Sequence, residues 1–308
     1  MSSQANPTAK PPLSAFYGPQ YWPIWFAMGL LRLITLLPWS LGKQFGRLLG
    51  RLLYQVSKRR RVIVEKNIAA CFPEFDDKQQ RKLVLDTFYA NGMGVIETAY
   101  AWWSSLGYIT KRLDIDGLEQ LQQACASDKG VLILGAHFTS PDLGCALLNQ
   151  QQAFMVTYQR HNNPLMDALI LRGRARCLGG AIEREQIRQV VKELKGGNTI
   201  WLAPDQDLGP DRSVFAPFFG LQTATTGIAS RLAKTTQCHV FFFSHQHVSN
   251  SHYRLSLTPL SALPSGDVVE DANIINACIE RAVRQYPEQY LWLHRRFKTR
   301  PEGETSIY

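Results

Sequence analysis

Residues 131–142 read Val131-Leu132-Ile133-Leu134-Gly135-Ala136-His137-Phe138-Thr139-Ser140-Pro141-Asp142. The first six form a short, unbroken apolar run, the pattern of a strand buried on both faces of a parallel sheet. Ser140 is then a candidate N-cap, Pro141 stands at the first helical position, and Asp142 places an acid in the first turn, where the helix dipole favours it. The order predicts a strand, a tight connection and a helix running to about Asn149. Further strands are expected at Ala153–Tyr158, Thr199–Ala203 and Val240–His247, and helices at Pro164–Arg176, Glu185–Lys195, Thr225–Lys234 and Val269–Tyr286. A turn at Ser249-Asn250-Ser251 should pair Val240–His247 with Tyr253–Thr258 as a hairpin. Residues 76–104, polar and then apolar, read as helices ahead of the sheet. The alternation gives an α/β fold: a mixed, largely parallel sheet flanked by helices, with an antiparallel pair at its edge.

The rest of the composition narrows the class. The 308 residues are 45% hydrophobic and 19% charged, too apolar for a disordered chain and too charged for a polytopic membrane protein. Six cysteines in no metal-type spacing read as reduced thiols of a cytosol-facing protein. The net charge of +9 is concentrated at one end, since residues 1–66 hold ten Lys/Arg against a single acid, Glu65. Residues 1–20 read as a flexible tail. Residues 21–41, from Tyr21-Trp22 to Leu41, are almost wholly apolar with aromatic residues at both ends. They suit a membrane-embedded helix, spanning or deeply interfacial, despite Arg32 within and Pro38 near the close. A secretory signal peptide fits poorly, because no basic region precedes the run and no small-residue cleavage site follows it. Residues 42–66 interleave Phe45, Leu48, Leu49, Leu52, Leu53 and Val56 with basic side chains, as in an amphipathic helix lying on anionic headgroups. No base-reading motif accompanies this charge, so nucleic acid is not an expected partner. The basic collar follows the apolar run, which places residues 67–308 on the cytoplasmic side as one domain.

Chemistry is suggested first by His137 and Asp142, an HxxxxD motif at a strand-to-helix junction, where open α/β sheets bind their substrates. A carboxylate holding one ring nitrogen fixes the tautomer, and the other nitrogen can then take a proton from a hydroxyl. Asp205-Gln206-Asp207 invites a second reading, a DxD pair holding a divalent metal and a nucleotide-sugar phosphate. Arg160, closing an apolar strand, has the guanidinium fork that suits phosphate. His245-Gln246-His247 puts two imidazoles on one strand face with no third metal ligand evident. Arg295 and Arg296 lie in a basic stretch suited to phosphates, carboxylates or an acidic protein. Trp102-Trp103 could wall a groove or fill a core.

The chain resembles the lipid A biosynthesis lauroyl/myristoyl acyltransferases of Gram-negative inner membranes, which share HxxxxD with glycerolipid acyltransferases. The resemblance runs from about Tyr21 to the end. It is carried by Cys71-Phe72-Pro73-Glu74, Gly92-Met93-Gly94 with Glu97 and Trp102, Gly135-Ala136-His137-Phe138 and Arg160-His161-Asn162-Asn163-Pro164. It continues through Ala203-Pro204-Asp205-Gln206-Asp207-Leu208-Gly209-Pro210 and Leu291-Trp292-Leu293-His294-Arg295-Arg296-Phe297-Lys298-Thr299-Arg300-Pro301. The tail is most like the lauroyl-transferring branch, whereas Gln206 between the two acids is more usual in the myristoyl branch.

This resemblance implies transfer of a fatty acyl chain from acyl carrier protein to a hydroxyl of a Kdo-bearing lipid A precursor, on the cytoplasmic side of the inner membrane and without cofactor or metal. It implies catalytic roles for His137 and Asp142, with Arg160, Asp205, Asp207, Arg295 and Arg296 contacting substrate. Two other readings follow from the residues alone. One is a membrane glycosyltransferase using Asp205 and Asp207 with a divalent metal, and the other is a non-catalytic lipid-binding protein.

Overall fold

The computed structural model describes residues 12–249 and 251–308. Two short 3-10 turns, Leu13–Phe16 and Pro19–Tyr21, lead into α1 (Trp22–Ile34), α2 (Trp39–Val56), α3 (Lys58–Cys71) and the long α4 (Asp77–Trp103). Asp76 opens α4 with a reciprocal capping box, its side chain accepting from the Gln79 backbone while Gln79 accepts from its own. The chain continues through α5 (Leu106–Ile109), β1 (Arg112–Asp116), α6 (Leu118–Cys125), β2 (Val131–Leu134), α7 (Pro141–Asn149), β3 (Met155–Tyr158) and α8 (Pro164–Cys177). Next come β4 (Ala181–Glu183), α9 (Ile187–Lys195), β5 (Thr199–Leu202), β6 (Ser213–Phe218), β7 (Leu221–Thr226) and α10 (Ile228–Thr236). The hairpin β8 (His239–Ser249) and β9 (His252–Pro259) and the helix α11 (Val268–Gln285) follow.

The α/β fold expected from the apolar run is present. A seven-stranded sheet has the order β1-β9-β8-β2-β5-β3-β4. The run at 131–134 is its central strand, parallel to both β5 and β8. All four of its side chains are fully buried, each contributing about 1.5–3 kcal/mol by removal from water. Leu132 and Leu134 join one core, with α3, α9, α10 and α11, while Val131 and Ile133 join a second core on the opposite face, with α4 and α7. The β8–β9 pair is antiparallel as expected, but it is not at the edge, because β1 pairs parallel outside β9. β1 escapes sequence reading because three of its five residues are charged, and β4 because it is only three residues long. A separate hairpin, β6–β7, was also not foreseen. It claims Thr225 and Thr226, so α10 begins three residues later than the periodicity suggests.

The N-terminal arm departs most from expectation. Of the expected tail, residues 1–11 lie outside the described residues. From Leu13 onward the chain is packed, with Phe16 buried against Leu165 and Ala168 of α8. Residues 21–41 do not form one helix. α1 has thirteen residues, roughly 20 Å at a rise of about 1.5 Å each, against about 30 Å of hydrocarbon. The backbone turns at Thr35 to Pro38, and Pro38 becomes the N-cap of α2. Among the described residues no helix is long and apolar enough to cross a membrane. Arg32, the charge inside the apolar run, donates to the Trp103 carbonyl at 2.8 Å. The single basic helix expected at 42–66 is likewise two helices, divided at Ser57.

α2 is amphipathic in an inverted sense. Between Trp39 at its start and Leu53 and Tyr54 near its end, its protein-facing side is small, with Gly42, Gly46 and Gly50 buried, and its outer side carries exposed Leu41, Phe45, Leu48, Leu52 and Val56. The glycines let α2 touch α4 backbone to backbone. A Cβ at Gly92 of α4 would lie 2.3 Å from the Gly46 carbonyl oxygen and 2.4 Å from the Gly50 nitrogen. Two residues on and around the other side of α4, a Cβ at Gly94 would lie 2.0 Å from the Thr139 carbonyl oxygen, so α4 also abuts the loop after β2.

Gly92→Ala should therefore force two helices apart and cost about 1–3 kcal/mol, read as a fall in the apparent Tm of the detergent-solubilised protein. Gly29→Ala on the outer side of α1, where a Cβ would meet nothing within 4 Å, should leave the Tm unchanged or raise it slightly.

Candidate active site

His137 follows β2 and Asp205 follows β5. The two strands pair in parallel with Leu134 opposite Leu202, and the Gly135 amide still donates to the Leu202 carbonyl at 2.8 Å. Continuing that register for three residues places His137 beside Asp205. The carboxylate receives the His137 backbone N–H at 2.9 Å on one oxygen, and its other oxygen lies 2.6 Å from Nδ1. The carboxylate that holds the histidine is thus Asp205 and not Asp142, the acid of the HxxxxD motif. Both oxygens of Asp142 are otherwise engaged, one by Nε of Arg174 at 2.9 Å and one by the Trp102 indole N–H at 3.0 Å. On the first turn of α7, Asp142 faces α4 and α8 and turns from the ring five residues earlier. Trp102 belongs to the core, and its ring packs on Gly173, where a Cβ would lie 2.3 Å from the indole.

Burial and charge act against each other at the histidine. Burial disfavours the imidazolium, but the Asp205 carboxylate outweighs it and raises His137 above the ordinary histidine value. Burial would likewise raise Asp205, yet His137 and Arg296 hold its carboxyl well below the usual range. Arg296 was expected to meet substrate, but it is 1% exposed. It donates to the Ala224 carbonyl at 2.6 Å and the Thr225 hydroxyl at 3.0 Å, and it lies over the Phe218 ring. Its place in the core makes it a structural clamp and the buried countercharge of Asp205. Arg295 is exposed and lies over the Tyr308 ring. Arg160 is also exposed, 3.9 Å from Asp167, and neither arginine lines the pocket described below.

Asp207 is equally occupied. It accepts from the Thr299 amide at 2.6 Å, the Thr299 hydroxyl at 2.8 Å and the Gly209 amide at 2.9 Å. The two acids of Asp205-Gln206-Asp207 therefore point to different partners, one to the histidine and one to the C-terminal segment. That division leaves no shared pair of carboxylates for the metal site of a DxD glycosyltransferase. The same C-terminal segment braces the histidine loop. Leu291 donates its amide to the His137 carbonyl at 2.9 Å, and Thr139 donates to the Gln289 carbonyl at 2.8 Å. The histidines of the β8–β9 hairpin also diverge. His245 packs between Phe138 and Phe243, where burial pushes it down to about 4. His247 sits 3.3 Å from buried Glu97, and His252 binds Asp114. No group of three His, Cys, Asp or Glu side chains converges among the described residues.

His137 opens into a pocket of about 690 Å³ at the C-terminal ends of β2, β5 and β3. Its walls are mainly apolar, including Val156, Ile170, Leu202, Ile228 and Leu232. Polar side chains line it as well: His137 and the Asp142–Arg174 pair inside, Thr157, Gln159, His161, Gln206 and Thr226 along the strand ends, and arginines with Glu185 towards the mouth. A cavity of this size and character suits an extended hydrocarbon ligand with one polar reacting end. Sequence reasoning missed Arg174. Three arginines, at 172, 174 and 176, stand close together in α8, and only the packing of α8 against α7 shows which one turns inward.

A family model described as bacterial lipid A biosynthesis acyltransferase matches residues 11–299. The chain is 38% identical over 298 residues to the lipid A biosynthesis palmitoleoyltransferase of Escherichia coli K12, spanning 95% of this chain and 96% of that one. It is 36% identical to the lauroyltransferase of the same organism, over 96% and 97% of the two chains. It is 28% identical to the myristoyltransferase, over 96% and 92%. With a histidine–carboxylate pair at the mouth of an apolar pocket, and a family match over almost its whole length, the chain belongs to the bacterial lipid A biosynthesis acyltransferases.

Proposed function

We propose that this enzyme transfers a lauroyl or myristoyl chain from acyl carrier protein to a hydroxyl of a Kdo-bearing lipid A precursor, at the cytoplasmic face of the bacterial inner membrane. The observation that carries the reading is the His137–Asp205 pair, 2.6 Å apart, at the mouth of the apolar pocket. With Nδ1–H donating to Asp205, the lone pair of Nε2 is the one available to the pocket. Nε2 takes the proton of the acceptor hydroxyl as its oxygen attacks the thioester carbonyl. The new C–O bond forms, the tetrahedral intermediate collapses with cleavage of the C–S bond, and His137 returns its proton to the departing thiolate. The ester and a free thiol result, and no further reactant is required. Arg174 lines the same pocket and is held by Asp142, so it is the cation placed to offset charge on the tetrahedral oxygen. No serine or cysteine nucleophile is needed. Cys145 lines the pocket, but burial raises its thiol well above the ordinary value, so it is not thiolate.

The membrane contact is proposed to be monotopic. Trp22, Phe26, Leu30 and Leu33 of α1 and the outer stripe of α2 are exposed, and Arg47, Arg51 and the Lys58–Arg61 run stand beside them. Large apolar side chains turned outward and flanked by cations fit a leaflet of anionic lipid.

His137→Ala should reduce transfer by about 10²- to 10⁴-fold with vesicle binding unchanged, and near wild-type transfer by this variant would refute the mechanism. The neutral imidazole is the active form, so kcat/KM rises with pH through the raised pKa of His137. In Asp205→Asn the raising charge is gone, and the acid limb should move to lower pH while the maximal rate falls. Asp142→Asn should lower the rate without moving that limb. The double variant Phe26→Glu/Leu33→Glu should lose flotation with anionic phospholipid vesicles. Unaltered flotation would remove α1 from the membrane contact.

A further inference from the structure

The pocket has two arms, one on each face of the sheet. Trp201 and Leu202 are successive residues of β5, so their side chains point to opposite faces, and both line the pocket. Leu202 is joined by Val190 of α9 and by Leu232 of α10, all members of one core. Trp201 is joined by Cys145 of α7 and Val156 of β3, members of the other core, with Ile170 of α8 packed against them. The sheet keeps the arms apart until the C-terminal ends of β2 and β5, where His137 stands.

The arms differ in what surrounds their mouths. Beside the α9–α10 arm, Arg212 and Arg231 line the opening together with Arg184, whose Nε donates to Glu185 at 2.8 Å. Arg212 and Arg231 are exposed. The charged lining of the α7–α8 arm is the mutually paired Asp142 and Arg174. That arm instead backs onto the N-terminal region, because the other side of α8 packs through Leu165, Ala168 and Leu169 on Phe16, Ile24 and Trp25. Ile24 and Trp25 belong to α1, whose outer stripe is the exposed apolar surface.

We infer that the two acyl chains joined in the reaction lie on opposite faces of the sheet. The donor chain occupies the α9–α10 arm, its phosphate-bearing thioester carrier held at the arginines, and the acceptor's hydroxyacyl chain enters the α7–α8 arm from the side of α1. The assignment rests on the proposed acyl transfer between a carrier thioester and a lipid hydroxyl. Thioester carbonyl and hydroxyl then meet at His137 from two directions, and neither chain need pass the other.

The test uses the full-length enzyme in mixed micelles, acyl carrier proteins loaded with chains of ten to sixteen carbons, and lipid A precursors differing in hydroxyacyl length. Ile228→Trp narrows the first arm and should move the donor optimum to chains shorter by two or more carbons, while Ile228→Ala should move it to longer ones. One surplus methylene in a closed apolar arm costs about 10-fold or more in kcat/KM. Ile170→Trp should leave the donor optimum in place and discriminate against the longer acceptor chains. Reversed effects, or both substitutions moving the same substrate, overturn the assignment. Binding of a non-reactive dodecyl thioether of phosphopantetheine, read calorimetrically, separates this inference from the function on which it rests. Arg212→Gln/Arg231→Gln should weaken that binding at least about 10-fold. If these arginines instead govern KM for acceptors with and without their phosphates, the mouth belongs to the acceptor and the assignment is wrong. An enzyme that binds the thioether through Ile228 and the arginines, yet transfers no acyl group, upholds the arm and refutes the activity. One that transfers but ignores Ile228 does the opposite.

Discussion

The parallel register between β2 and β5 is the constraint on which the site depends. Leu134 opposite Leu202 fixes His137 opposite Asp205 three residues on, beyond the last regular ladder bond. A shift of one residue would turn the fully buried side chains of β2 to the wrong core, and it would also separate His137 from the Asp205 carboxylate. Fold stability and the geometry of the His137–Asp205 pair are therefore set by the same ladder. The rest of the site is arranged around that pair. His137, with a smaller contribution from the buried Arg296, holds the Asp205 carboxyl low against its burial, and the Gln289–Leu291 segment bonds the loop on either side of Phe138.

The sheet, its central strand and most of the flanking helices were legible because long apolar or periodic segments carry their own signal. The histidine was legible for the same reason, since a strand end followed by a capped helix marks a place. Its partner was not. The five-residue spacing of His137 and Asp142 suggests a contact, yet the first turn of α7 carries Asp142 toward Trp102 and Arg174. The true neighbour is 68 residues away in sequence, and only strand pairing brings it close. Arg296 shows the converse. A basic run reads as surface, but one of its members is buried by bonds to the β6–β7 hairpin, itself unforeseen. The broken N-terminal helix was partly visible in Pro38, although the apolar content of the segment argued for continuity.

α2 illustrates how a chain can be folded and still present grease. In a water-facing helix the large apolar residues turn inward. Here glycines do so, and leucines face out. The exchange is sustained by close backbone approach to α4, which offers many small dispersion contacts in place of side-chain burial. Since α4 also abuts Thr139 through Gly94, the outward-facing helices and the histidine loop share one rigid support. The position of the histidine loop relative to the exposed apolar stripe of α2 is then fixed by helix packing.

The clasp formed by Gln289–Leu291 and Thr299 bears on biosynthesis. In chain order α1 and α2 precede both strands that lead to His137 and Asp205, and the segment that braces the loops after those strands follows them. Domains acquire structure as they emerge, so β2 and β5 are synthesised before the segment that holds the loops following them. The loop that carries His137 therefore receives its bonds from Gln289 and Leu291 only after α11 has been made.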